Sequence, residues 1–263
     1  MSPEPQVLLF SDVDDTFLDE GRVPPAVVAA LRDAASRIEL VFVSSRTIPE
    51  LGSLQAMLGI ARDFITEDGT LTVVTSAAVA DLIGASEPAR LGTRLVRVVR
   101  HGASLDLVLD GIRAAAEGLG LEFDPALIEA NRDREHTVLI GATFPGVHSL
   151  TAELTQAGFN VRVGRRWISV SRGGGGKGEA VRRYLAARRA AGGAPPVVAA
   201  IGDSENDASM LALVPRGFVI NRPGEGHHAA LTAIQGITVL EASGCLGWVE
   251  AVESLCTLGA EVP

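Results

Sequence analysis

Short apolar runs, each closed by polar or turn-forming residues, set the rhythm of this chain. Val7-Leu8-Leu9-Phe10, Leu40-Val41-Phe42-Val43, Val197-Val198-Ala199-Ala200-Ile201 and Gly217-Phe218-Val219-Ile220 do not alternate with polar residues. Such runs read as strands buried on both faces, as in a parallel sheet. Helical patterns lie between them. Val27, Val28, Leu31, Ala34 and Ala35 recur at helical spacing behind Val23-Pro24-Pro25, and a second helix from Pro49 to Leu58 is stopped by Gly59. Phe64-Ile65-Thr66 reads as a short third strand, Glu67-Asp68-Gly69 as a tight turn, and Leu71 to Thr75 as the returning arm of a hairpin. A helix from Lys177 to about Ala191 follows later, and the stretch through Cys256 reads as helix, short strand and helix. This order predicts an α/β fold, a Rossmann-like parallel sheet with helices on its faces.

From about Ala80 the texture changes. Arg94-Leu95-Val96-Arg97-Val98-Val99-Arg100 mixes charged and apolar positions, which suits a strand wet on one face. A helix from Ser104 to Glu117, a strand at Val138-Leu139-Ile140, a helix from Val147 to Ala157 and a strand pair at Asn160 to Val163 and Trp167 to Val170 complete the segment. The pattern predicts an inserted α+β domain over residues 80–172, splitting a core made of 1–79 and 173–263. Gly173-Gly174-Gly175-Gly176 reads as a flexible joint back to the core, and matches neither a dinucleotide loop nor a phosphate loop.

Composition narrows the function. Hydrophobic residues make up 47% of the 263 positions and aromatics only 4%, so the core is aliphatic. A formal net charge of −9 argues against nucleic acid and anionic membranes as partners and leaves small molecules. Cys245 and Cys256 form no metal or redox spacing and read as reduced thiols. With no signal segment at the start and no apolar run long enough to span a bilayer, a soluble cytoplasmic protein is expected.

The candidate chemistry begins at Phe10-Ser11-Asp12-Val13-Asp14-Asp15-Thr16, just past the carboxyl end of the first strand, where open α/β sheets bind ligands. Three carboxylates within four positions repel one another, and a hard divalent cation, most simply Mg²⁺, relieves that repulsion. One carboxylate on the metal could then attack phosphorus while its neighbour handles a proton. Taken alone, the stretch fits a solvated turn equally well. Three more groups stand at matching places: Ser44 and Ser45 after the second strand, Lys177 at a helix start, and Gly202-Asp203-Ser204-Glu205-Asn206-Asp207 after the fourth strand. A parallel sheet gathers all of them at one edge. Ser44 can donate to a phosphoryl oxygen or cap the next helix. Lys177 can neutralise a transferring phosphoryl group, and Asp203 with Asp207 can complete a metal site and hold Lys177.

Together these motifs resemble the haloacid dehalogenase superfamily of phosphohydrolases. Asp12-Val13-Asp14-Asp15-Thr16 is similar to its D-x-D-x-T motif, Ser44 to its second, Lys177 to its third and Gly202 to Asp207 to its G-D-x-x-N-D fourth. The insertion resembles the α/β cap of the Cof-like branch. Phe42-Val43-Ser44-Ser45-Arg46-Thr47, Arg134-Glu135-His136-Thr137 and Gly164-Arg165-Arg166-Trp167 resemble stretches of the mannosyl-3-phosphoglycerate phosphatases. Asp15, Asp68, His136 and the four-glycine run depart from the pattern without removing a catalytic group.

The resemblance implies a Mg²⁺-dependent phosphatase working through an aspartyl-phosphate. Asp12 would be the nucleophile and Asp14 the acid and base; Asp12, Asp203 and the Asp14 main-chain carbonyl would hold the metal, supported by Asp207. Ser44, Ser45 and Lys177 would bind the phosphoryl oxygens. Arg134, Arg165 and Arg166 in the cap would meet a small phosphate ester, a sugar carrying a second anionic group such as a carboxylate. A sugar phosphomutase of the same branch and a phosphate-accepting signalling module are the rival readings. A signalling receiver needs neither Asp14 nor a lid.

Overall fold

The computed structural model describes residues 6–122, 131, 133–163, 167–192 and 197–258. Strand β1 (Val7–Ser11), helix α1 (Pro25–Ala34), β2 (Ile38–Val43), α2 (Ile48–Leu58), β3 (Phe64–Thr66), β4 (Leu71–Val74), α3 (Ala77–Ile83), β5 (Ser86–Leu91) and β6 (Arg94–Arg100) form the first part. The insertion carries α4 (Leu105–Gly118), β7 (Thr137–Gly141), α5 (Val147–Gln156), β8 (Asn160–Val163) and β9 (Trp167–Ser171). The chain returns through α6 (Gly176–Ala190), β10 (Val197–Gly202), α7 (Ala208–Leu211), β11 (Arg216–Asn221), α8 (Ala229–Thr232), β12 (Thr238–Ser243) and α9 (Cys245–Leu258). No helix among the described residues is long and apolar enough to cross a membrane.

A nine-stranded sheet in the order β12-β11-β10-β1-β2-β3-β4-β6-β5 is the frame. From β12 to β3 neighbouring strands are parallel; β4, β6 and β5 continue it antiparallel. Alternate residues of each central strand serve opposite layers, as the pleat requires. Val7, Leu9, Leu40, Phe42 and Ile201 pack with Val27, Leu51 and Trp248 from α1, α2 and α9, while Leu8, Phe10, Val41 and Ala200 pack with Val79, Val181 and Tyr184 from α3 and α6. Burial of both faces explains the unbroken apolar runs.

The mixed stretch Arg94–Arg100 is a strand, but it pairs with β4 in the large sheet rather than with the insertion's own strands. Val96, Val98 and Val99 are each 2% exposed or less, so the core claims them, while the arginines keep their charged ends nearer solvent. The insertion's own sheet has three antiparallel strands in the order β7-β9-β8. Val138, Ile140, Ile168 and Val170 cover one face with Val108, Ile112, Leu150 and Leu154 of α4 and α5. Leu139, Ser169 and Arg162 stand in register across the three strands on the other face.

In the four-glycine run read as the joint back to the core, Gly173, Gly174, Gly175 and Gly176 all take left-handed φ values of 73–84°. Any other residue would pay about 1–2 kcal/mol at each such position. Gly173 bridges Gly102, so the strands entering and leaving the insertion meet there.

Core and insertion are clasped by one buried carboxylate. Glu67 follows β3 with φ 47°, and its side chain is fully enclosed. Its Oε1 accepts from the Glu135 amide at 2.8 Å. Its Oε2 accepts from the His136 amide, the Thr137 amide and the Thr137 hydroxyl, each at 2.9 Å. A few residues along the same core edge, the Ser45 carbonyl accepts from Arg134 Nη1 at 3.0 Å. Replacing Glu67 by Ala removes the acceptor from four donors at once. Orphaned buried donors cost about 1–3 kcal/mol each, so Glu67→Ala is expected to lower stability by about 3 kcal/mol or more, read from urea unfolding. Glu67→Gln, which keeps one acceptor oxygen, should lose less; two variants of equal and unchanged stability would refute the clasp.

Candidate active site

The first acidic loop is shaped by what surrounds it. The Asp12 amide still donates to the Ile201 carbonyl at 3.0 Å, so the nucleophile candidate sits on the last rung between β1 and β10. Beyond it, Phe17 and Leu18 both return their amides to the Val13 carbonyl, closing a tight turn. Asp15 occupies the left-handed region with φ 59°, which Asp tolerates better than most residues. Phe17 pins the turn from below, its ring 4.9 Å from Phe42 and 5.0 Å from Trp248, edge to face.

The second and fourth loops are built differently. Ser44 is buried, and its Oγ accepts from the Arg46 amide at 3.1 Å. The cap of α2 is Thr47, which shares a capping box with Glu50, so Ser44 does not serve as that helix's cap. After β10, the Asp207 carboxylate folds back to accept from the Asp203 and Ser204 amides at 3.2 and 3.1 Å. A Cβ on Gly202 would lie 2.5 Å from that of Asp207, so this fold-back demands glycine.

These loops converge. Lys177, 1% exposed, donates from Nζ to Asp12 Oδ1 at 2.6 Å and to Asp207 Oδ1 at 2.7 Å. Asp203 accepts from Thr16 Oγ1 at 3.1 Å and from Arg222 Nε at 2.8 Å. Asp14, more exposed, is gripped by Arg46, whose Nη2 lies 2.7 Å from Oδ1 and whose Nε lies 3.0 Å from Oδ2. Asp68, in the left-handed turn after β3, accepts from Ser169 of the insertion at 2.8 Å and from Asn206 at 3.4 Å.

Electrostatics follow from burial. Burial alone would lower the Lys177 ammonium pKa, but Asp12, Asp207 and Asp68 outweigh it and hold the pKa above the usual lysine value. Burial raises the Asp12 pKa despite Lys177, with Asp207 and Asp203 adding repulsion. Asp203 is pushed up to about 6, first by burial and then by Asp207, against Arg222 and Lys177. The site therefore holds more negative charge than its lysine balances.

Asp12, Asp203 and Asp207 each bring a carboxylate oxygen to within 4.8 Å of the others. Asp207 is committed to Lys177 and to backbone amides. Asp12 keeps Oδ2 without a hydrogen bond among the described residues. Hard oxygen donors with surplus negative charge suit Mg²⁺.

Above them lies a cavity of about 640 Å³ between the sheet edge and the insertion. Asp12, Asp14, Asp15, Ser45 and Asp203 line the core side, and Arg134, Leu139, Arg162, Trp167 and Ser169 the insertion side. Ser44 and Lys177 lie behind this lining. Arg165 and Arg166 fall outside the described residues. Arg46, Asp68, Arg162 and Arg222 join the site without having been singled out for it from the sequence. Arg46 stood inside a quoted motif, and only the fold brings Arg162 and Arg222 to the same edge.

No protein-family model matches the chain. It is 24% identical over 268 aligned residues to a glucosyl-3-phosphoglycerate/mannosyl-3-phosphoglycerate phosphatase of Methanococcoides burtonii, covering 94% of this chain and 96% of the relative. Its fold is similar to that of a haloalkanoate (HAD) superfamily phosphatase from Bacteroides thetaiotaomicron, with a TM-score of 0.65, 16% identity, and 96% of each chain covered. A subclass IIB sugar phosphatase of the same superfamily matches with a TM-score of 0.62 and 16% identity, over 95% of this chain and 98% of the other. The architecture is thus the α/β fold with inserted cap that the motifs implied.

Lys177 is the test of the buried charge arrangement. Lys177→Met leaves Asp12 and Asp207 enclosed without their cation, a loss of about 3–5 kcal/mol for a broken buried pair. Denaturant unfolding at neutral pH without divalent ions should show it, and the loss should shrink in acid as carboxylates protonate. An unchanged midpoint would mean that the lysine is not balancing that charge.

Proposed function

We propose that this protein is a Mg²⁺-dependent phosphomonoesterase that hydrolyses a phosphorylated sugar or sugar-glycerate through an aspartyl-phosphate. The observation that carries the reading is Asp12 held by a buried lysine at the sheet edge, facing a cavity roofed by the cap. Similarity over 94% of the chain to a relative named as a phosphatase favours this reading over a phosphomutase or a signalling module.

Asp12 attacks phosphorus through a carboxylate oxygen, and the bond from phosphorus to the ester oxygen breaks. Asp14, steered by Arg46, gives its proton to the departing alcohol oxygen. Asp14 then takes a proton from water as that water attacks the aspartyl-phosphate, releasing inorganic phosphate and restoring Asp12. Lys177 favours the ionised form of Asp12 against the effect of burial and, with Ser44 and Ser45, offsets charge on the phosphoryl oxygens. Asp12, Asp203 and the Asp14 main-chain carbonyl would hold Mg²⁺, with Asp207 in support; when bound, the ion neutralises charge on the transferring group. Arg134, whose Nη1 donates to Ser45 and Thr137, lines the cavity and would meet the alcohol part of the ester. Arg165 and Arg166 remain proposed contacts of the same cap.

Asp12→Asn should abolish phosphate release while the unfolding midpoint stays near that of the unaltered protein. Asp14→Asn should cost about 10²–10⁴-fold on a sugar phosphate, whose leaving group needs the proton, and less on an aryl phosphate. Equal losses on the two substrates would refute the proton role.

Chelation gives a second check. With Mg²⁺ removed, turnover should vanish, and restoring the ion should raise the melting temperature through binding to the folded state. Ca²⁺ should raise the melting temperature too, yet support little turnover, because its looser coordination aligns the reacting atoms less strictly. Full activity in chelator would overturn the metal assignment.

A further inference from the structure

Two cations serve the three buried carboxylates of the site, and they are held differently. Lys177, 1% exposed, lies between Asp12 and Asp207 with both acids enclosed. It donates to Asp12 Oδ1 and leaves Oδ2 of that acid without a hydrogen bond among the described residues. Asp203 keeps no such oxygen. Its Oδ1 accepts from the Thr16 hydroxyl at 3.1 Å and its Oδ2 from Arg222 Nε at 2.8 Å.

Arg222 is the less enclosed of the two cations. Its side chain is 21% exposed and lines the cavity, whereas that of Asp203 is 3% exposed. It opens a closed turn directly after β11: its amide donates to the Gly226 carbonyl, and its carbonyl accepts from the Glu225 amide, each at 3.1 Å. The turn brings the Glu225 carboxylate to 3.0 Å from Arg222 Nη1. One guanidinium thus bridges a buried acid and an exposed one. An ion on Asp203 meets this guanidinium. Sharing Oδ2 would set two cations within a few ångströms of each other in surroundings that screen poorly. The neutral Thr16 hydroxyl raises no such conflict. Arg222 can release Asp203 and still keep a partner, because Glu225 holds the other end of its fork.

We propose that Arg222 is a built-in competitor for the metal: it holds Asp203 until a divalent cation takes that carboxylate, then withdraws to Glu225. The inference rests on the metal assignment within the phosphatase reading and adds what limits the ion's affinity. Lys177 is the fixed cation of the site and Arg222 the displaceable one. The exchange keeps Asp203 paired before and after the ion arrives, as an enclosed carboxylate requires. It also makes the ion bind more weakly than the acids alone would hold it.

The test is Mg²⁺ binding itself, followed by titration calorimetry on the whole chain without substrate. Arg222→Gln should bind Mg²⁺ about tenfold more tightly than the unaltered protein, the low end of the range for a charge-assisted hydrogen bond. Without Mg²⁺ this variant should melt lower, because Asp203 loses its cation, and saturating Mg²⁺ should close most of the gap. Glu225→Gln leaves Asp203 paired and so spares the fold. It should bind Mg²⁺ about threefold more weakly, since Arg222 has lost the acid it withdraws to. Arg162→Gln controls for the general field of the cavity: it removes another lining arginine that donates nothing to Asp203, and should shift the affinity by about threefold or less. Unchanged or weaker binding in Arg222→Gln would overturn the inference. Unchanged binding in Glu225→Gln, or equal tightening in Arg162→Gln, would overturn it too. Unaltered protein that takes up no Mg²⁺ would instead overturn the metal assignment beneath it.

Discussion

One ammonium group buried among three carboxylates governs this molecule. Asp12, Asp203 and Asp207 are 6%, 2% and 0% exposed, and Lys177 at 1% is the cation that two of them share. Enclosed charges survive only where partners and hydrogen bonds replace water. Each carboxylate is accordingly tied down by local backbone or by a neighbouring side chain. The parallel pairing of β1 with β10 brings Asp12 and Asp203 together, since Ser11 stands in register with Ile201. The glycine turn before α6 delivers the lysine from the other side. Strand order, turn shape and helix start thus answer to one electrostatic demand.

The cap completes the arrangement by closing a polar chamber over it. Its helices bury one face of a small sheet, and the other face supplies Leu139, Ser169 and Arg162. Ser169 reaches Asp68, whose other oxygen accepts from Asn206. Cap and core are therefore joined by hydrogen bonds at the rim of the cavity as well as at Glu67. The acidic cluster belongs to the core and the opposite wall of the cavity to the insertion.

Much of this was legible in the residues. Unbroken apolar runs marked the parallel strands because both faces of the sheet are covered, and Gly59 marked the end of α2 because its φ is 66°. Asp12, Lys177, Asp203 and Asp207 could be grouped because they follow strands or open a helix at one sheet edge. Other features were not legible. Arg94–Arg100 read as belonging to the insertion because its charges interrupt the apolar pattern, yet its valines fill the core beside β4. The four glycines read as a joint from composition, but their four left-handed φ values could not be read from the sequence. Arg46, Arg162 and Arg222 are distant in sequence from the residues they serve, and only tertiary contacts reveal which of them is already spoken for.

The clasp at Glu67 touches the insertion almost entirely through main-chain amides. Three of its four donors are peptide N–H groups of residues 135–137, which nearly every amino acid supplies equally. The attachment of the roof is therefore largely blind to the roof's own side chains. Substitutions across the cavity-facing positions of β7, β8 and β9 can retune what the chamber admits without loosening the hinge on which the roof is mounted. Divergence in substrate choice and preservation of the assembled site are, in this architecture, separable traits.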